Sequence, residues 1–146
     1  MNFAKKALTI AVDFDGTIVE HCYPEIGEEL PGAFEVLKEL QERGHRLILW
    51  TVRDGIDLQN AVDYCLSKGI IFWAVNASFP DEEFNKYISR KIDADVFIDD
   101  RNVGGFPGWY KIREILIPDS PYLKNNKNNP NNQTNRKKGF WQNLFK

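Results

Sequence analysis

Two rhythms of apolar residues alternate along the first 118 positions. Leu8–Phe14 (LTIAVDF), Arg46–Trp50 (RLILW), Ile70–Val75 (IIFWAV) and Val96–Ile98 (VFI) are short runs rich in β-branched and aromatic residues. Such runs predict strands buried on both faces. Between them the spacing becomes helical. Phe34, Val36, Leu37 and Leu40 follow Pro31, which suits a first helical turn, and stop at Gly44. Leu58, Ala61, Val62, Cys65 and Leu66 share one face of a segment from Asp57 to Lys68, with Gly69 as its stop. Residues 16–30, with Gly16, Pro24 and Gly27, read as a mixed loop, and residues 80–90 are polar with room for a short helix. The glycine-rich stretch Val103–Gly108 leads into a last helix over Trp109–Ile117.

Strand–helix alternation of this kind predicts an α/β fold: a three-layer α/β/α, Rossmann-like parallel sheet with helices on both faces. Ligands of open parallel sheets bind outside the carboxyl ends of the strands. A site should therefore fall at strand ends, and four groups do. The first strand ends in Asp13-Phe14-Asp15-Gly16-Thr17, and the second in Thr51 with Arg53 beyond it. Lys91 stands before the fourth strand, which ends in Asp99-Asp100 followed by Arg101. Asn76 lies just past the third strand.

Charge and composition divide the chain. Residues 1–118 hold 13 Lys+Arg against 20 Asp+Glu, a net of −7, whereas residues 119–146 hold 6 against 1, a net of +5. The second segment contains eight Asn and almost no apolar residue before Phe140-Trp141, Leu144 and Phe145. It cannot bury enough surface to offset its ordering entropy. The expectation is one catalytic domain over 1–118 and a flexible tail over 119–146 whose basic, aromatic end is a candidate docking segment for a protein partner. The acidic domain does not suggest a nucleic-acid binder. No apolar run approaches the roughly 20 residues of a bilayer span, and no signal-peptide pattern follows Met1. Two cysteines, Cys22 and Cys65, are too few for a disulfide framework, so a cytoplasmic location is expected.

The motifs now in view resemble those of the haloacid-dehalogenase-like (HAD) hydrolases. Asp13-Phe14-Asp15-Gly16-Thr17 is similar to motif I, Thr51 to motif II, Lys91 to motif III (with Lys86 as the competing candidate) and Asp99-Asp100 to motif IV, in the family's order. The resemblance covers residues 8 to 117. It implies a Mg²⁺-dependent phosphatase in which Asp13 and Asp99 supply side-chain ligands, Asp15 its backbone carbonyl, and Asp100 an outer or alternative ligand. An aspartate at position 15, rather than the threonine of P-type ATPases, points within the family to a phosphatase or phosphotransferase.

The chemistry has its own reasons. Asp13 is placed to attack phosphorus and form an acyl phosphate, which splits one hard step into two. Asp15 would protonate the leaving oxygen and then deprotonate water. Gly16 admits backbone N–H groups to phosphate oxygens, with Thr17 beside it. Thr51 and Lys91 would neutralise charge on the transferring phosphoryl. Arg53, Asn76, Asp100 and Arg101 are candidates for contact with the substrate or with the groups that hold it.

Spacing narrows the reading further. Asp13 and Thr51 are 38 residues apart and Thr51 and Lys91 are 40 apart, and neither gap holds a cap domain. A capless member has an open site suited to a large phosphorylated substrate, with the loop of 18–30 (His21, Tyr23, Glu25) as its only nearby flap. A different class also fits: a non-catalytic phospholigand-binding or regulatory module on the same fold. A receiver domain is disfavoured because its phosphorylated aspartate would end the third strand. Cysteine phosphatases and P-loop kinases are excluded, because neither Cys-x5-Arg nor Gly-x4-Gly-Lys-Ser/Thr occurs.

Overall fold

In a computed structural model that describes residues 6–125, the first apolar run forms β1 (Thr9–Val12). It lies at the centre of a four-stranded sheet with β2 (Arg46–Leu49), β3 (Ala74–Val75) and β4 (Val96–Ile98). The order is β3-β2-β1-β4, and every pairing is parallel. Ala11 faces Ile48 on one side and Phe97 on the other, so the three longer strands end level with one another. The connections are α1 (Ala33–Glu42), α2 (Gly55–Ser67) and, after β4, α3 (Trp109–Leu116). The fold is the α/β parallel sheet that the alternation predicts, and the described residues hold no inserted cap.

The two faces of the sheet are dressed differently. Strand side chains alternate in direction, and Ile10, Val12, Leu47, Leu49 and Ile98 point to one side. There they meet Val36, Leu37 and Leu40 of α1, Ala61 and Cys65 of α2, and Trp109 and Ile112 of α3. All three helices therefore cover one face. On the other face only Ala11, Ile48, Ala74 and Ile92 are buried, with Trp50, Trp73, Ala77, Ala94 and Phe97 packed around them. The cover there is the β3–β4 connection, which is not helical. This departs from the expected helices on both faces and from the short helix allowed over 80–90. Asp81, Glu82, Glu83, Lys86 and Arg90 leave that stretch no apolar stripe, and Phe84 and Tyr87 stand exposed.

Some boundaries also move. β3 keeps two residues of the six-residue run, because Ile71 is mostly exposed and Phe72 packs against the helical core instead. Beyond Pro118, Asp119 pairs with Arg43 at 2.8 Å, Ser120 is buried, and a short helix α4 (Tyr122–Asn125) lays Tyr122 under the Arg113 guanidinium at 5.0 Å. Arg113 in turn binds Glu39 of α1 at 3.0 Å. The first turn after Pro118 is thus tied to the domain. The basic, aromatic end assigned to docking lies outside the described residues. Among the described residues no helix is long and apolar enough to cross a membrane.

Candidate active site

At the carboxyl edge of the sheet, β1, β2 and β4 release their chains into loops that line one cavity. Asp13, Asp15, Thr51, Asp99 and Arg101 contribute to it, together with His21, Trp50 and Val52. Asp13 stays in register with the sheet, since its N–H donates to the Ile98 carbonyl at 2.9 Å. One residue later the backbone turns: the Ile18 N–H closes on the Phe14 carbonyl at 2.9 Å, and Gly16 takes φ +84°. The turn buries Thr17, whose hydroxyl donates to Asp13 Oδ2 at 2.9 Å and orients that carboxylate. Behind it Trp109 Nε1 donates to the Thr17 carbonyl at 2.6 Å, so α3 buttresses the turn.

Asp13, Asp99 and Asp100 bring one carboxylate oxygen each within 4.8 Å of one another. Burial, with Asp99 and Asp100 adding to it, raises the Asp13 carboxyl from 3.8 to about 7, although hydrogen bonds from Thr17 and the Phe14 N–H oppose the rise. Asp100 Oδ1 is buried without a hydrogen-bond partner. An orphaned carboxylate oxygen beside two more carboxylates fits a hard divalent cation, which takes oxygen ligands of this type. Gly16 is required for this arrangement, because a Cβ there would strike the Asp100 carboxylate, with Cγ at 2.8 Å. Gly16→Ala therefore adds left-handed strain of about 1–2 kcal/mol and displaces Asp100. Thermal denaturation with and without Mg²⁺ should give a lower melting point for Gly16→Ala and a smaller Mg²⁺-dependent rise than in the parent protein.

Asn76, in a left-handed conformation at φ 49°, joins the ends of β2 and β3: its Oδ1 accepts from the Thr51 N–H at 2.8 Å. It supports Thr51 from behind and does not line the cavity. Arg53 is fully buried. Its Nε and Nη2 each donate to an Asp15 oxygen at 2.7 Å, a bidentate pair. That side chain is thereby used up within the protein, where the sequence left substrate contact open. Arg101 is exposed and lines the cavity, with its N–H donating to Asp99 Oδ1 at 2.8 Å.

Lys91 is not among the side chains that line the cavity. It is exposed, with Nζ 5.7 Å from the Phe97 ring, because its neighbour Ile92 is drawn into the second face of the sheet. Lys86 is no nearer a role, lying over Tyr87 at 5.0 Å. Of the cationic side chains that the sequence offered for the site, Arg101 is among those that line the cavity. His21, read from the sequence only as part of a flap, lines the cavity as well. Its sole signal was its position on the loop after the first strand.

An all-parallel open sheet with a carboxylate cluster at its carboxyl edge defines an α/β protein with a candidate cation-binding cavity. The chain is 53% identical to the conserved protein coded by a locus from Bacteroides thetaiotaomicron, whose solved structure superposes with a TM-score of 0.73, covering 81% of this chain and 96% of that one. The chain belongs to the family of that conserved protein. No family model matches it, and no curated protein does.

Proposed function

We propose that the protein is a capless phosphatase of the HAD type, a phosphoric monoester hydrolase working through an aspartyl phosphate. The observation that carries the reading is the gathering of Asp13, Asp99 and Asp100 at the strand ends with Asp15 beside them in the same cavity. Asp13, Asp99 and the Asp15 carbonyl would hold Mg²⁺, with Asp100 next to them, and the ion would neutralise charge on the phosphoryl oxygens. The Asp13 oxygen not engaged by Thr17 attacks phosphorus. The bond to the leaving oxygen breaks, and that oxygen takes a proton from Asp15. Water, giving its proton back to Asp15, then cleaves the acyl phosphate to inorganic phosphate and free Asp13. Thr51 and Arg101 contribute donors to the phosphoryl group. Cys22 and Cys65 are both free thiols, in keeping with a reducing cytoplasm.

One observation favours the second reading, a phospholigand-binding module without turnover. Lys91, the fixed cation that the chemistry would use, lies over Phe97 and is not among the residues that line the cavity. Hydrolysis of p-nitrophenyl phosphate with Mg²⁺ separates the two. Turnover that disappears when Mg²⁺ is chelated supports the phosphatase. A melting point raised by phosphate or a phosphate analogue, with no product formed, supports the binder. Neither response removes both.

A further inference from the structure

The outer edge of the sheet carries an apolar groove. β4 is the last strand in the order, and among the described residues no strand lies beyond it. A groove of about 180 Å³ runs between β4 and α3. Val96 and Ile98 of β4, Phe106 of the loop that follows, and Ile112, Ile115 and Leu116 of α3 line it. Ile115 is 56% exposed. Natural sheets blunt an edge of this kind with charge or cover it with a loop or a helix, yet this one offers apolar side chains. The groove is smaller than the roughly 300–1,000 Å³ of a small-molecule site, and the one charged group in its lining is Asp99. Its size suits one or two large apolar side chains of a peptide.

We propose that this groove is the seat of the chain's own carboxyl-terminal segment, anchored by Phe140 and Trp141. That segment lies outside the described residues, and three observations select it as the occupant. The first is its pattern. Residues 126–139 hold no aliphatic or aromatic side chain except Pro130, and then Phe140, Trp141, Leu144 and Phe145 follow at a helical spacing. Apolar residues spaced in this way enter a groove from one side. The second is charge. Residues 1–125 hold 14 Lys+Arg against 21 Asp+Glu, whereas residues 126–146 hold five Lys+Arg and no acid. Unlike charges draw the two together, and Asp99 makes the groove lining itself negative. The third is reach. Tyr122 of α4 packs on Arg113 at 5.0 Å, and Arg113 follows Ile112 of the groove along α3. The segment therefore starts beside its seat. The 14 residues of 126–139 span about 20 Å as a random chain, more than the about 12 Å length of α3. Tethering at that range gives an effective concentration in the millimolar range, which favours the chain's own segment over that of a second copy. Nothing in the proposal draws on the phosphatase reading.

Disulfide trapping in the full chain tests the proposal. Cys22→Ser removes the exposed thiol, and Cys65 is buried. Leu144→Cys is then combined with Ile115→Cys in the groove. As a control it is combined with Ser67→Cys, an exposed position at the end of α2, which joins β2 to β3 at the other end of the sheet. Under mild oxidation with copper phenanthroline, the Ile115 pair should close an intramolecular disulfide at least about tenfold faster than the Ser67 pair, a small share of what a seated segment gains in effective concentration. Adding Phe140→Ala and Trp141→Ala, which lie beyond α4 and outside the core, should bring the two rates together. Equal rates without those substitutions overturn the proposal. So does a fast Ile115 disulfide that survives the loss of both aromatics, because the tether alone would then explain it. A disulfide formed chiefly between two chains also overturns it and makes a second copy the occupant. Failure of the phosphatase reading leaves each of these measurements unchanged.

Discussion

Asp13→Asn should abolish hydrolysis and yet melt higher than the parent protein in the absence of divalent ions. The two effects come from one cause. If the protein is the proposed phosphatase, the nucleophile Asp13 has no substitute, and its loss should lower kcat by about 10³-fold or more. As a charge, it is poorly placed: burial, Asp99 and Asp100 raise its carboxyl from 3.8 to about 7. A carboxyl with a raised folded value penalises the fold once ionised. The penalty is complete above pH 7 and fades as pH falls toward 4, where the unfolded chain also binds the proton. The neutral amide removes it and keeps an acceptor for the Thr17 hydroxyl. At pH 8 the gain should be about 1–2 kcal/mol, after allowance for partial exposure of the carboxylate. At pH 5 it should be small. Mg²⁺ should reverse the order, stabilising the parent protein and not the variant, and its affinity for the parent should rise with pH as Asp13 loses its proton. Urea denaturation at the two pH values, with and without Mg²⁺, measures each part. A variant less stable than the parent at pH 8 without Mg²⁺ would contradict this account of the carboxylate cluster.

Trp109→Ala should be the most damaging single truncation in the core. Trp109 is 1% exposed and is among the largest fully buried side chains. Truncating a buried aromatic of this size costs about 3–5 kcal/mol. It also orphans the buried Thr17 carbonyl, which loses its 2.6 Å donor and adds about 1–3 kcal/mol. Trp109→Phe keeps most of the volume and loses the donor, so it should cost clearly less. The effects reach the site because the turn that Trp109 braces carries the Thr17 hydroxyl to Asp13. Trp109→Phe should therefore reduce Mg²⁺-dependent activity more than its stability loss alone would cause at a temperature where it is folded. Denaturation midpoints and kcat for both variants check this, and equal costs for the two would show the indole N–H to be unimportant.

Much of this arrangement was legible because it rests on local rules. Runs such as LTIAVDF and RLILW leave little choice but buried parallel strands, and strand-end carboxylates in such a sheet have one edge to occupy. Asp13, Asp15, Thr51 and Asp99 accordingly share a cavity. The rest depended on distances that periodicity does not encode. Arg53 pairs with Asp15 because the flap supplies two carbonyls to its other edge, a contact set by a loop 28 and 29 residues away in sequence. Lys91 lies over Phe97 beside the buried Ile92 and is not among the residues that line the cavity, a placement that a lone lysine before a strand does not announce. The connection over 77–94 lacks any period, and so gives no sign that it covers a sheet face as irregular chain.

That irregular cover divides the molecule into a part held hard and a part held lightly. If residues 77–94 lift away, water reaches Ala11, Ile48, Ala74 and Ile92, while the three helices keep their grip on the opposite face. Local openings of low cost are drawn from such lightly packed regions. The aspartates follow directly on β1 and β4, which the helices hold, so the cavity outlasts an opening of this kind. Between β3 and β4 the chain is therefore freest to vary in length and composition at little risk to the fold.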